Sequence, residues 1–272
     1  MRGIKKLLKD WLPPVITSTI KRIQGDDVYF DGDYTSWEDA AALSGGYDAV
    51  SILNKVLDAT LKVKKGEAAF ERDSVTFDDI QYSWLITTGL MLAAAQSGGR
   101  LDVLDFGGAL GSSYFQNRVF LSGLTSLHWS VVEQAHYVKA GRGLIQDETL
   151  RFYSTIDDCL LQNTPNVILL SSVIQYLPNV DDLISEINNS AVNVVIIDRT
   201  PFNNMLADKI CVQKVPKHIY QASYPMRVFS MKKFLDRFNN WSVIAKTDSP
   251  EGRLLSGSGF EISFQGFILR RN

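Results

Sequence analysis

A chain of 272 residues, 45% hydrophobic and 21% charged, has the composition of an ordinary globular protein and is long enough to bury a sizeable core. Its net charge of −2 offers no electrostatic reason to expect nucleic acid as a partner, and no run approaches the roughly 18 to 20 apolar residues that a membrane-crossing helix needs. Cys159 and Cys211 stand far apart and outside any C-x-x-C pattern, so free buried thiols in a reducing cytoplasm are expected and a metal site is not.

The chain starts on a basic, amphipathic stretch. Residues 1–24 hold six basic groups (Arg2, Lys5, Lys6, Lys9, Lys21, Arg22) against one acid, with Ile4, Leu7, Leu8, Trp11 and Leu12 at helical spacing. Such a segment either docks on its own protein or makes weak contact with an anionic membrane surface. Asp10, Pro13 and Pro14 interrupt its apolar run, so a cleaved leader is not expected. Residues 26–40 are acidic, aromatic and turn-rich; within them Ser36, with Asp39 three residues on, predicts an N-capped helix through Ala42. After the break at Gly45-Gly-Tyr-Asp48, the spacing of Val50, Leu53, Val56, Leu57 and Leu61 predicts a helix over 48–63. A longer helix is expected over 77–96, around Trp84, Leu85, Leu90 and Leu92, ended by Ser97-Gly-Gly-Arg100. Residues 1–98 are thus expected to form a mostly helical extension.

From Leu101 onward strand-like and helix-like stretches alternate, the signature of an α/β domain over 99–272 with a parallel sheet covered on both faces. The expected strands are Leu101 to Phe106, Ser126 to Val132, Leu150 to Tyr153, Val167 to Ser171 and Val192 to Asp198, with helices such as Asp181 to Asn188 between them. The ending differs. Trp241 to Lys246 and Phe260 to Leu269 are consecutive strand-like runs joined by a loop, so they are expected to pair antiparallel. A full dinucleotide-binding domain would instead continue with βαβ units to a sixth strand.

The first strand of this domain runs into Asp105-Phe-Gly-Gly-Ala-Leu-Gly111, a glycine-rich turn ahead of a helix. Such a turn supplies positive φ and lets a ligand approach bare backbone, although a sharp strand-to-helix turn can also use glycine with no ligand. The G-x-G-x-x-G fingerprint counted from Gly107 would need glycine where the chain has Ala109 and Ser112. A different pattern fits, with an acid two residues ahead of Gly107 and small residues at every second place thereafter: Asp105, Gly107, Ala109, Gly111. One helix further on, the second strand ends in Glu133. A carboxylate at that distance past the turn suits the two hydroxyls of a ribose and repels a 2′-phosphate.

The turn resembles the first motif of class I S-adenosylmethionine-dependent methyltransferases, with alanine in place of the middle glycine. A wider set of motifs, Gly32-Asp-Tyr-Thr-Ser-Trp37, Ser44-Gly-Gly-Tyr-Asp48, Gly66-Glu67, Glu71-Arg-Asp73, Asp105 to Ser112, Ser171-Ser-Val-Ile-Gln-Tyr-Leu177, Asp198-Arg-Thr-Pro201 and Tyr224-Pro225, resembles a group of bacterial methyltransferases associated with surface-polysaccharide gene clusters. The resemblance implies a Rossmann-like sheet of five parallel strands plus a C-terminal antiparallel hairpin. It also implies S-adenosylmethionine as cofactor and a small-molecule or saccharide acceptor. Asp105, Gly107, Gly108, Ala109 and Gly111 would then sit near the methionine and ribose, Glu133 on the ribose diol, and Gln134 and Ala135 beside adenine. Asp157 or Asp158 would supply an adenine-contacting acid, and Ser172, Gln175 and Tyr176 would follow the fourth strand at the ligand-binding edge.

Acceptor groups are expected from loops over that edge. Tyr176 is a candidate for the chemistry, with core packing as its alternative. His218 is the natural general base, since its ordinary pKa lies near neutrality. Asp198 could act as base or orient Arg199, and Tyr220, Tyr224 and Arg227 lie within the same run. His128, inside a strand, is expected to be structural, and His136 to be structural or to edge the adenine pocket. Tyr34, Trp37 and Tyr47 are candidates for a lid, with burial against the sheet the alternative for Trp37. Two other functions remain open at this stage, a nucleotide-dependent oxidoreductase and a non-catalytic binding or scaffold protein on the same sheet.

Overall fold

The computed structural model describes residues 28–45, 49–72, 74–216 and 222–272; the basic segment 1–24, Tyr47, His218 and Tyr220 lie outside the described residues. In chain order come β1 (Tyr29–Tyr34), α1 (Trp37–Ala42), α2 (Ala49–Lys65), the hairpin β2 (Phe70–Arg72) and β3 (Val75–Phe77), and α3 (Trp84–Gln96). An alternating stretch follows: β4 (Arg100–Phe106), α4 (Ser112–Leu121), β5 (Ser126–Val132), α5 (Ala135–Ala140), β6 (Leu150–Tyr153), α6 (Ile156–Leu160), β7 (Val167–Ser171), α7 (Val180–Asn189) and β8 (Val194–Asn203). The chain ends with β9 (Lys209–Val215), β10 (Ala222–Ser230), α8 (Met231–Asp236), β11 (Trp241–Leu255) and β12 (Glu261–Arg271).

The centre is the parallel array β6-β5-β4-β7-β8. β12 pairs antiparallel with β8 on one edge and with β11 on the other, so the last strand is inserted beside the fifth parallel one. This is the Rossmann-like sheet, five parallel strands closed by an antiparallel pair, expected from the alternating units and the terminal pair. Neighbouring residues in the central strands divide between two faces, as a pleated strand requires. Val103, Val167, Leu169, Val194 and Ile196 pack with α2 and α3 on one side. Leu104, Ile168, Leu170, Val195 and Ile197 pack with α7 and α8 on the other.

Local signals set several boundaries. Ser36 caps α1 by accepting the Asp39 N–H at 3.1 Å, and the helix ends at Ala42 as its sequence predicts. α3 starts seven residues later than the expected 77, because Ser83 caps it by accepting the N–H of Ile86. It stops where Gly99 turns back to donate to the Ala94 carbonyl at 2.9 Å with φ +87°.

The sheet is wider than the sequence suggests. β8 runs on to Asn203, where its far end pairs with β10, and β10-β9-β1 form an antiparallel wing. β1 lies in the stretch that reads as acidic turns. Its acids make cross-strand ion pairs instead, Asp31 with Lys214 at 3.0 Å and Asp33 with Lys209. β10 carries Pro225 in mid-strand, opposite Val212, which hides it from a strand reading.

Candidate functional site

The carboxyl ends of β4, β5 and β7 and the middle of β8 open into a cleft of about 700 Å³. In an open α/β sheet this is the edge where ligands bind. Among the sequence-predicted residues, Asp105, Gly107, Gly108, Ala109, Glu133, Gln134, Ser172, Tyr176 and Asp198 all line it.

The alternating small residues of the turn have a backbone cause. Gly107, Ala109 and Gly111 adopt φ of +71°, +50° and +92°, so every second residue is left-handed. Ala109 takes this conformation with a Cβ, at a cost of about 1 kcal/mol. Gly108 is small for another reason. A Cβ there would lie 2.4 Å from the Asp105 carboxyl group, which is tucked beneath the turn. Ser172 (φ +55°), just past β7, and Arg199 (φ +48°), within β8 where its pairing with β7 stops, are also left-handed. Backbone strain therefore gathers around one cleft, at the ends of β4 and β7 and at the adjoining point of β8, as it does at binding sites.

Asp105 is buried and accepts a 3.0 Å hydrogen bond from Trp129 Nε1. Burial pushes its pKa up to about 7; the Trp129 bond opposes this and the Glu133 charge adds to it. Glu133 extends from the end of β5 to the turn itself, accepting the N–H of Gln134 at 2.6 Å and the backbone N–H of Ala109. Its pKa is also raised by burial, against the pull of those two bonds. The acid and the glycine turn, read separately in the sequence, thus meet in space.

On the β7 and β8 side, Asp198 is 3% exposed and accepts a hydrogen bond from the Ser83 hydroxyl at the cap of α3. Burial raises its pKa, while the Arg199 charge and the Ser83 bond act the other way. Tyr176 presents its ring to the cleft, donates its hydroxyl to Gln213 Oε1 at 2.9 Å and meets Tyr224 edge-on at 5.2 Å. Trp37, Tyr224 and Pro225 complete an aromatic wall supplied by α1 and the β9–β10 wing.

Other predicted residues sit outside the cleft lining. Gly111 packs on Leu150, and Asp157 is exposed on α6. Gln175 is fully buried, and its Nε2 donates to Ser172 Oγ at 3.2 Å and the Arg199 carbonyl at 3.4 Å, joining the two left-handed residues of β7's exit and β8. Arg227 reaches Asp208 and the Pro178 carbonyl and stacks over Trp37. His136 packs against Tyr137, and His128 binds Asp102 through Nδ1 at 2.6 Å, a structural pairing between neighbouring strands.

The cleft also draws on residues the sequence did not single out as site residues: Gln81, Tyr82, Ser83, Ser112, Ser113, Gln116 and the β2 residues Glu71 and Arg72. For Ser83 the capping position was a usable signal. For Glu71 and Arg72 the signal was their place in a motif. Among the described residues no group of three or more His, Cys, Asp or Glu is arranged to hold a metal ion, and no helix is long and apolar enough to cross a membrane.

No family model and no curated protein sequence matches the chain. Solved structures of similar shape include the N-terminal domain of EvdMO1 with SAH bound, at 10% identity and a TM-score of 0.48, covering 84% of this chain and 98% of that one. Another is CalS10, an amino pentose methyltransferase from Micromonospora echinaspora, at 13% identity and TM-score 0.42, over 70% and 92% of the two chains. A third is the [4+2]-cyclase SpnF, at 12% identity and TM-score 0.47, over 82% and 94%. Likeness at this level does not carry an activity across, since one fold serves many chemistries.

Proposed function

We propose that the chain is an S-adenosylmethionine-dependent methyltransferase acting on a small molecule or a saccharide intermediate. The observation that carries this reading is the contact between the Glu133 carboxylate and the Ala109 backbone. This contact supports the reading by bringing the acid proposed for the ribose diol beside a turn whose residues line a cleft of about 700 Å³. The terminal β11–β12 pair and the missing second and third glycines of the fingerprint argue against the dinucleotide alternative. The saccharide class and the surface-polysaccharide setting follow from the sequence resemblance, and the wall of Trp37, Tyr176 and Tyr224 suits the apolar faces of a sugar ring.

The residues fit the cofactor. Gly107, Gly108 and Ala109 line the cleft, and the first two must be glycine because a Cβ would press on the protein itself, 2.3 Å from Val173 and 2.4 Å from Asp105 respectively, so the turn meets a ligand with little but backbone. When bound, S-adenosylmethionine supplies a methyl group already activated on a sulfonium. The chain's own task is then to bind, align and take up a proton. Glu133 holds the ribose and the turn positions the nucleoside. Asp105 and Asp198 give the cleft negative charge, which suits a cation. Asp198 accepts the proton of an acceptor hydroxyl on its carboxylate, its basicity raised by burial. His218, between β9 and β10 in the sequence, is the second candidate for that role. The aromatic wall orients the acceptor and excludes water.

Titration calorimetry with S-adenosylhomocysteine tests the proposal. Binding is expected, and a folded sample that gives no heat at millimolar ligand would sink it.

A further inference from the structure

Facing the glycine turn is a short hairpin with no part in the chemistry so far. All three residues of β2 line the cleft. Phe70, 4% exposed, stacks on Phe77 at 5.9 Å and fixes the hairpin against α2. Glu71 is 2% exposed and accepts a hydrogen bond from the hydroxyl of Ser112, the first residue of α4. Its carboxylate is thereby held where the glycine turn passes into the helix. Arg72 follows in the same strand, with its guanidinium 5.9 Å from the Phe77 ring centre. Among the described residues that line the cleft, Arg72 and Arg199 carry the positive charge. Arg199 lies within β8, two strands along the sheet from the turn and 3.9 Å from Glu251.

We infer that Glu71 and Arg72 form the subsite for the amino-acid end of the cofactor, Glu71 taking the α-ammonium and Arg72 the α-carboxylate; this rests on the function proposed above. A zwitterion carries both charges on one carbon, and Glu71 and Arg72 both line the cleft, so this short strand brings one carboxylate and one guanidinium to it. Charge-assisted hydrogen bonds of this kind are strong when water is excluded. The arrangement also selects between cofactors. In a dinucleotide site the helix N-terminus after the glycine turn receives a pyrophosphate. Here a buried carboxylate already stands at that place, so a pyrophosphate meets repulsion while an ammonium meets attraction. With Glu133 at the ribose and Glu71 with Arg72 at the other end, the sulfonium between them is fixed from both sides.

The test compares two thioethers, S-adenosylhomocysteine and 5′-methylthioadenosine, which lacks the amino-acid end. The wild-type protein should bind the first more tightly than the second. Glu71→Gln and Arg72→Gln should each weaken S-adenosylhomocysteine by roughly ten- to a hundredfold, the range for losing a charged hydrogen bond. Both should leave 5′-methylthioadenosine within about twofold, which also shows that the variants are folded. If the two ligands weaken together, or if neither changes, the subsite assignment is wrong while the methyltransferase reading survives. If the wild-type protein binds neither thioether, both fall.

Discussion

Replacing Asp105 by Asn should make the fold more resistant to urea above neutrality and leave it nearly unchanged in acid. An acid whose pKa is higher in the fold than in the unfolded chain holds its proton more tightly when folded. Its contribution to stability is full below the unfolded value and is lost as the pH climbs through the folded one. For Asp105 those limits are 3.8 and about 7, with desolvation as the main cause. At roughly 1.4 kcal/mol for each pH unit, the gap sets a ceiling of about 4 kcal/mol on the penalty that wild-type protein carries at pH 8. Asn removes the ionisation and keeps an oxygen for the 3.0 Å bond from Trp129 Nε1. Urea melts of both proteins at pH 4.5, 6 and 8 give the comparison. The variant should gain on the wild type steadily with pH and reach a stability advantage of a few kcal/mol at pH 8. Equal pH dependence in the two proteins would refute the view that this buried carboxylate titrates near neutrality. The gain in stability should come with weaker cofactor binding, because the charge beneath the turn is what a cationic ligand meets.

Glu133→Ala should weaken S-adenosylhomocysteine binding by about 1 to 3 kcal/mol in titration calorimetry, the range for charged hydrogen bonds; an unchanged affinity would mean that the acid does not hold the ribose. Asp198→Asn and His218→Ala separate the two candidate bases. The variant of the true base should lose turnover of a hydroxyl acceptor while keeping S-adenosylhomocysteine affinity within about twofold, and full turnover in either variant removes that residue from the role.

The two halves of the cleft differ in how far they could be read from the sequence, and the cause is the range of the interactions that build them. The half proposed to hold the cofactor is local. A strand, a turn with small residues at 107, 109 and 111, and an acid at the end of the next strand are written within about thirty residues, and parallel packing of β4 on β5 brings the acid to the turn without help from elsewhere. The helix caps at Ser36 and Ser83 are local in the same sense. The acceptor half is assembled across long separations. Trp37 reaches the cleft because β1 pairs with β9, and that pairing is marked only by acids at 31 and 33 meeting lysines at 214 and 209, which in isolation read as solvated turn residues. Tyr224 reaches it on a strand disguised by Pro225. Glu71 and Arg72 stand on a three-residue strand, too short for any periodicity to show, and acquire meaning only when the hairpin folds over the start of α4. It follows that the residues proposed to choose the acceptor, and those proposed to choose between cofactors, are carried by segments whose positions depend on the whole sheet. A substitution in the β1–β9 ion pairs is accordingly expected to disturb the acceptor wall before it disturbs the nucleoside site.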